Sequence, residues 1–405
     1  MSTGPPSPGL DETDPVSHPP LLLSGGTVLD TATATWTRDD LLLVDGRVAG
    51  RGPEAGRQRP ASATVLDVAG LLVTPGLVDA QVNGACGVDL TREPERVAEV
   101  AATLTRSGVT AFVPTVISSP AGTVERVAAA VAALERPGPQ GPHARALGVH
   151  TEGPFLAPAR RGAHPLQHLR APDPDAVARW SPQAGVQVVT LAPELPGALD
   201  VVRALVERGV QVWIGHTEAT YAQTVAAGAA GARAVTHLCN AMPRFDHREP
   251  GPVGAALGDG RLVAGVIVDG HHVHPAMVRT AWRALGPGRF MLVSDTTAAL
   301  GLPPGRTVLG DQDVVLDGAT VRLADAPDTL AGSAVGLDHC VRTLVAMTGC
   351  PPADALVAAT RTPADLLGRP DLGRLDVGAA ADVALWDADL HLHGVIVGGV
   401  VPSRA

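Results

Sequence analysis

Four side chains suited to holding a metal or moving a proton each follow closely on a short apolar run. They are Glu152 after ALGV, His216 after VQVWIG, His237 after RAVT and Asp295 after FMLVS. Two imidazoles and one carboxylate make the donor set of a catalytic zinc site with a position left open, and a second carboxylate beside them can carry a proton. His216 and His237 stand 21 residues apart, about one strand–helix unit, so they fall on neighbouring strand ends within reach of one ion. Either histidine alone would fit a core or surface position. The pair at strand termini with a carboxylate fits a metal centre better. Asp295, followed by Thr296 and Thr297, suits a proton-transferring base and the cap of a following helix equally well.

The elements that must position these groups are legible around them. Runs of branched aliphatics read as buried strands of a parallel sheet. Between them, LPGALDVVRALVERG and EATYAQTVAAGAAG carry helical spacing. This alternation predicts an α/β fold, a (β/α)8 TIM-like barrel with its chemistry at the carboxyl ends of the strands. VTPGLVDAQVNG, GVTAFVPTV, ALGVHTEGP, VQVVTLAPE, VQVWIGHTE, RAVTHLCNAMP, LVAGVIVDGHHV and RFMLVSDTT supply the eight strands that closure needs, within a barrel spanning 75–375. Residues 21–74 and 376–405 are instead rich in short strands and turns, with Asp45-Gly46 suited to a tight hairpin. They predict a small β-sandwich domain assembled from both chain ends. Residues 1–20, dense in Pro, Ser, Gly and acidic groups, predict a disordered tail.

Composition bounds the function. The chain has 405 residues, room for one large domain and a smaller one, and only 2% of them are aromatic, so the core must rest on Ala, Val and Leu. A net charge of −10 without a basic stripe excludes a nucleic-acid binder, while one Arg and one His suffice to hold a small anionic substrate. There is no lysine, which excludes Schiff-base catalysis, a Walker A motif and a carboxylated lysine bridging two metals. SGG and VGG do not make the GxGxxG of a dinucleotide site. Cys86, Cys239, Cys340 and Cys350 form no CxxC pair and read as reduced thiols of a cytoplasmic protein. No apolar stretch reaches the roughly 18 residues of a membrane helix, and the N-terminal segment lacks a secretory pattern.

Three further groups are candidates. Asp269 precedes His271, His272 and His274, although the Asp-Gly turn there would leave one or two of these histidines facing solvent. Arg248, in FDHREPGP, suits a phosphate or carboxylate clamp or a plain solvated charge. His164, in RRGAHP, carries little information by itself.

The strings PGLVDAQVNG, HTEGPFLAPARRGAH, TLAPE, GHTEAT, THLCNAMPRFDHREPG, DGHHV, VSDTTA and LAGSAVGL resemble the N-acetylglucosamine-6-phosphate deacetylases of the amidohydrolase superfamily. The resemblance spans nearly the whole chain after residue 20, and THLxNAMP followed by REPG is its most specific part. It implies that Glu152, His216 and His237 bind one divalent metal ion per chain, Zn2+ foremost, with Fe2+ or another divalent ion as alternatives. It implies Asp295 as general base and then acid, and His164 as a hydrogen-bond donor to the acetyl carbonyl. Asn240, Ala241, Arg248 and His272 would hold the sugar phosphate, with Leu330 and Ser333 lining the sugar pocket. Arg248 would reach the neighbouring subunit's site, which implies a homodimer. Where amidohydrolases commonly carry an HxH pair for a second metal, this chain has Gln81-Val82-Asn83, and amides are poor zinc ligands beside imidazole. Pro165 stands directly after His164 in place of the usual polar residue. The rival activities are deacetylation of N-acetylgalactosamine 6-phosphate and hydrolysis of a cyclic amide. A catalytically silent binding protein is disfavoured because all four chemical groups are present.

Overall fold

Each of the eight apolar segments forms a strand: Leu77–Val82, Val109–Ile117, Val149–Glu152, Val186–Leu191, Gln211–Ile214, Ala234–Val235, Val263–Ile267 and Phe290–Val293. These assignments come from a computed structural model that describes residues 19–135 and 142–401. The strands pair in parallel, each beside the next in sequence. A parallel bridge from Val82 to Thr296 brings the end of the last strand back to the first, closing a (β/α)8 barrel.

Strand side chains alternate between two packed layers. Val78, Ala80, Ala111, Val113, Val188, Trp213, Met291 and Val293 fill the barrel interior. Leu77, Phe112, Val189, Val212 and Leu292 pack outward against the helices. Small aliphatics therefore supply most of the core, as the scarcity of aromatic residues requires. The helix Ala198–Glu207 shows how the outer layer is held: Ala198, Val201, Val202 and Leu205 recur at intervals of three and four and are buried. The next helix, Tyr221–Ala230, starts on a capping box between Thr220 and Gln223.

Both chain ends build a separate mixed sheet. Leu21–Asp30, Thr35–Val44, Arg47–Arg51, Thr64–Asp67 and Leu72–Pro75 join Val383–Trp386 and Leu392–Ile396 in seven strands. Its own core includes Leu23, Leu41, Leu43, Val73, Val383 and Ile396. Asp45 and Gly46 both take positive φ, 48° and 72°, as a tight I′-type hairpin turn requires. The ion pair Arg145–Asp382 (3.1 Å) ties this sheet to the barrel. The segment expected to be a disordered tail lies, for residues 1–18, outside the described residues.

One element was not expected. After the last barrel strand the chain forms a four-stranded antiparallel sheet, Gly305–Leu309, Gln312–Asp317, Thr320–Leu323 and Leu330–Ser333. It packs around Leu309, Val314, Leu316, Val321 and Ala331 and is pinned to the barrel's carboxyl end by Gly310 N donating to Asp89 Oδ2 (2.9 Å). Among the described residues no helix is long and apolar enough to cross a membrane.

Candidate metal-dependent active site

At the carboxyl end of the barrel a cavity of about 630 Å3 opens, and Glu152, His164, His216, His237 and Asp295 all line it. Glu152 ends the third barrel strand, while His216, His237 and Asp295 each lie just beyond one. The backbone of these last three is left-handed, with φ of 48°, 28° and 50°. Non-glycine residues pay a steric cost there, and with Ala241 (φ 50°) four such positions around one cavity mark a functional site.

The three sequence-predicted ligands converge. Glu152 Oε1 lies 3.1 Å from His216 Nε2 and 2.9 Å from His237 Nε2, and the two Nε2 atoms are 3.0 Å apart. A carbonyl can only accept, so His216 must donate from Nδ1 to the Arg160 carbonyl at 2.8 Å. In the neutral ring this leaves a lone pair on Nε2. A carboxylate oxygen and imidazole lone pairs crowded within about 3 Å repel one another unless a cation joins them. Tetrahedral zinc at 2.0–2.2 Å from N and O donors would set them about 3.4 Å apart, a small relaxation from this geometry. The donor set therefore fits a divalent metal.

His164 reaches the same cavity from the loop after Glu152. Its Nδ1 accepts from Ser118 N at 3.1 Å, so the proton of the neutral ring sits on Nε2. Burial first, and then the His216 ring, push His164 well below its ordinary pKa and keep it neutral. The ring is thus a fixed donor. His164 is 2% exposed.

Asp295 is 7% exposed, and burial followed by the Glu152 charge pushes its carboxyl up to about 7. Asn83 Nδ2 donates to its Oδ1 at 2.8 Å. Gln81 Nε2 donates to Glu152 Oε1 at 3.3 Å. The residues at the HxH positions are thus amide donors to the two carboxylates.

Asn240, Ala241, His272 and Leu330 also line the cavity. Asp269 accepts from His272 Nδ1 (2.7 Å) and from the backbone of His271 and His272. Burial works against its charge, but these bonds prevail and hold its carboxyl near about 2. His271 and His274 are exposed, so His272 is the one histidine of that cluster in the site. Ser333 does not line the cavity. It is fully buried behind Asp295, with its N donating to the Asp295 carbonyl (2.8 Å) and its hydroxyl to the Ser294 carbonyl (2.6 Å). Arg248 lies outside the cavity on an exposed loop.

Sequence reasoning missed Ser118, Glu194 and Arg161. Ser118 looks like an ordinary loop residue in ISSP. Glu194, the acid of TLAPE, accepts from Thr217 Oγ1 and Glu218 N and so braces the loop that follows His216. Arg161 lines the cavity and donates to the His164 carbonyl (3.0 Å).

A barrel with two imidazoles, a glutamate and an aspartate at its carboxyl end defines a metal-assisted hydrolase architecture. The chain matches the amidohydrolase family over residues 72–401 and belongs to it. The human N-acetylglucosamine-6-phosphate deacetylase is 40% identical over 95% of this chain and 94% of that protein. The N-acetylgalactosamine-6-phosphate deacetylase of Escherichia coli O157:H7 is 37% identical over 91% of this chain and 96% of its own. Among solved structures, a mutant Mycobacterium smegmatis N-acetyl-D-glucosamine-6-phosphate deacetylase in complex with N-acetyl-D-glucosamine-6-phosphate superposes with a TM-score of 0.85. It is 36% identical and covers 95% of this chain and 99% of its own.

Proposed function

We propose that this protein is a metal-dependent deacetylase that converts N-acetylglucosamine 6-phosphate to glucosamine 6-phosphate and acetate. The convergence of Glu152, His216 and His237 within hydrogen-bond distance of one another, beside Asp295 and a fixed donor at His164, carries the reading. The human and mycobacterial relatives support the substrate.

Glu152, His216 and His237 would hold one divalent ion, and two imidazoles with a carboxylate suit Zn2+. Such an ion polarises a carbonyl and lowers the pKa of water. His164 Nε2–H points its hydrogen bond at the acetamide oxygen, where negative charge develops during attack. Asp295, ionised, takes a proton from water as that water's oxygen bonds to the carbonyl carbon. It then returns the proton to the sugar nitrogen as the C–N bond breaks, leaving acetate and a free amine. The buried environment that pushes Asp295 up towards neutrality suits a group that must do both.

His272, held by Asp269, together with Asn240 and Ala241, would take the phosphate. Arg248 would complete that subsite in a second copy of the chain. Its exposed loop also carries Phe245, 53% exposed, which supports a homodimer contact. Four free cysteines support a cytoplasmic location.

The bacterial galactosamine relative keeps the epimeric sugar phosphate as the second reading. Comparing kcat/KM for the two sugar phosphates on one preparation tests the assignment. A preference for the gluco sugar is expected; a preference for the galacto sugar overturns the substrate, and turnover of neither overturns the reading.

A further inference from the structure

Asn83 stands immediately after the first barrel strand, with its backbone already fully employed. Its N donates to the Thr296 carbonyl (2.7 Å) and its carbonyl accepts from Leu90 N (2.9 Å). The side chain is therefore not needed to hold the backbone. It is 3% exposed, and its Nδ2 donates to Asp295 Oδ1 at 2.8 Å. With Asp295 ionised the amide cannot be reversed, because Oδ1 would then face a carboxylate oxygen.

Two further observations show what this contact does. First, the Asn83 Oδ1 atom is buried and has no protein partner. A buried carbonyl without a partner is a stability cost, so the fold gains little from an amide here. Second, the Asn83 bond is the one hydrogen bond made to the Asp295 carboxylate among the described residues. The Asp295 backbone is clamped separately: its N donates to the Gln81 carbonyl (3.1 Å) and its carbonyl accepts from Ser333 N (2.8 Å). That clamp holds the left-handed backbone, and the Asn83 amide holds one oxygen of the carboxylate.

Resting on the deacetylase reading, we propose that Asn83 is a positioning residue for Asp295. By occupying Oδ1 it turns Oδ2 toward the cavity as the oxygen that takes and returns the proton. Gln81 repeats the device one step along the same face of the strand, donating to Glu152 Oε1. The two amides at the HxH positions thus orient two carboxylates.

The test is Asn83→Leu, which keeps the branched shape of the side chain but is bulkier and has no donor, measured beside the parent enzyme. Kinetics on N-acetylglucosamine 6-phosphate, bound metal and thermal melting are read on the same samples. The proposal expects kcat to fall about 10- to 100-fold, the range for loss of a group that orients a functional residue. KM should stay within about twofold, metal per chain should be unchanged, and the melting temperature should hold or rise. A kcat within about threefold of the parent overturns it. So does a melting temperature several degrees lower, or metal lost in parallel, either of which makes Asn83 structural whether or not the sugar is turned over. In an Asp295→Asn background, Asn83→Leu should lower the residual rate no further; an additional loss of the same size overturns the claim that Asn83 acts through Asp295. An inactive parent refutes the deacetylase reading instead, while melting and metal content still decide whether Asn83 is structural.

Discussion

His164→Ala isolates the donor proposed to face the acetamide oxygen. The wild-type ring is neutral, since burial and His216 hold it far below its ordinary pKa. Ser118 N occupies Nδ1, so Nε2 carries the hydrogen and points it into the cavity. Removing one preorganised donor to a developing oxyanion costs about 10²–10³ in kcat, or about 2.7–4 kcal/mol of transition-state stabilisation. The metal ligands stay in place, because His164 Nε2 lies 3.8 Å from Glu152 Oε2 and supports none of the three converging atoms. Truncation also strands Ser118 N, so the fold should lose about 1–3 kcal/mol. Steady-state amine release, bound metal and denaturant melts on one preparation separate these effects. Ser118→Ala is the control: it leaves the backbone N–H on Nδ1 and should cost less than about tenfold. A His164→Ala enzyme within tenfold of the parent, or one that has lost its metal, would refute the donor assignment.

Three other expectations follow from particular contacts. Asp79, fully buried, is raised from 3.8 to about 6 mainly by desolvation, against bonds from Ser294 and Gln81. A carboxyl raised on folding stabilises fully below its unfolded pKa, and that contribution is lost as pH rises through the folded value. Asp79→Asn should therefore flatten the fall in stability between about pH 4 and 6 and leave the variant up to about 3 kcal/mol more stable at pH 8, read by urea melts; an unchanged pH profile would contradict it. Gly332 has φ 68°, and a Cβ there would lie 2.7 Å from the Asp295 carbonyl and 2.6 Å from Thr297 Cγ2. Gly332→Ala should lower kcat by more than about tenfold by displacing Asp295, whereas parent-like kinetics would show that the loop absorbs the change. Stripping the metal with a chelator should lower the melting temperature, since Glu152, His216 and His237 then face one another without a cation. Re-addition of Zn2+ should restore it by mass action, and equal melting with and without metal would contradict the site.

The barrel and the cluster at its carboxyl end were legible because parallel strands write themselves as continuous apolar runs, and the chemistry-bearing groups follow those runs directly. Glu152, His216, His237 and Asp295 could be found that way. The partners that orient them could not. Asn83 meets Asp295 across 212 residues, and Ser118 meets His164 across 46, contacts that no local pattern encodes. The left-handed backbone of His216, His237 and Asp295 carries no glycine to announce it. LAGS was expected at the sugar pocket, and three of its members, Leu330, Ala331 and Gly332, line the cavity while Ser333 turns behind Asp295. The antiparallel sheet of 305–333 was missed because its strands are short and half exposed, with no continuous apolar run to mark them.

One metal at Glu152, His216 and His237 is proposed to work with Asp295 as the proton carrier. Free-amine release from N-acetylglucosamine 6-phosphate should be measured for the parent and Asp295→Asn, with metal quantified in the same samples. Turnover is expected in the parent and its loss in the variant, with about one metal per chain in both. Retained turnover in Asp295→Asn, or metal lost along with activity, would contradict it.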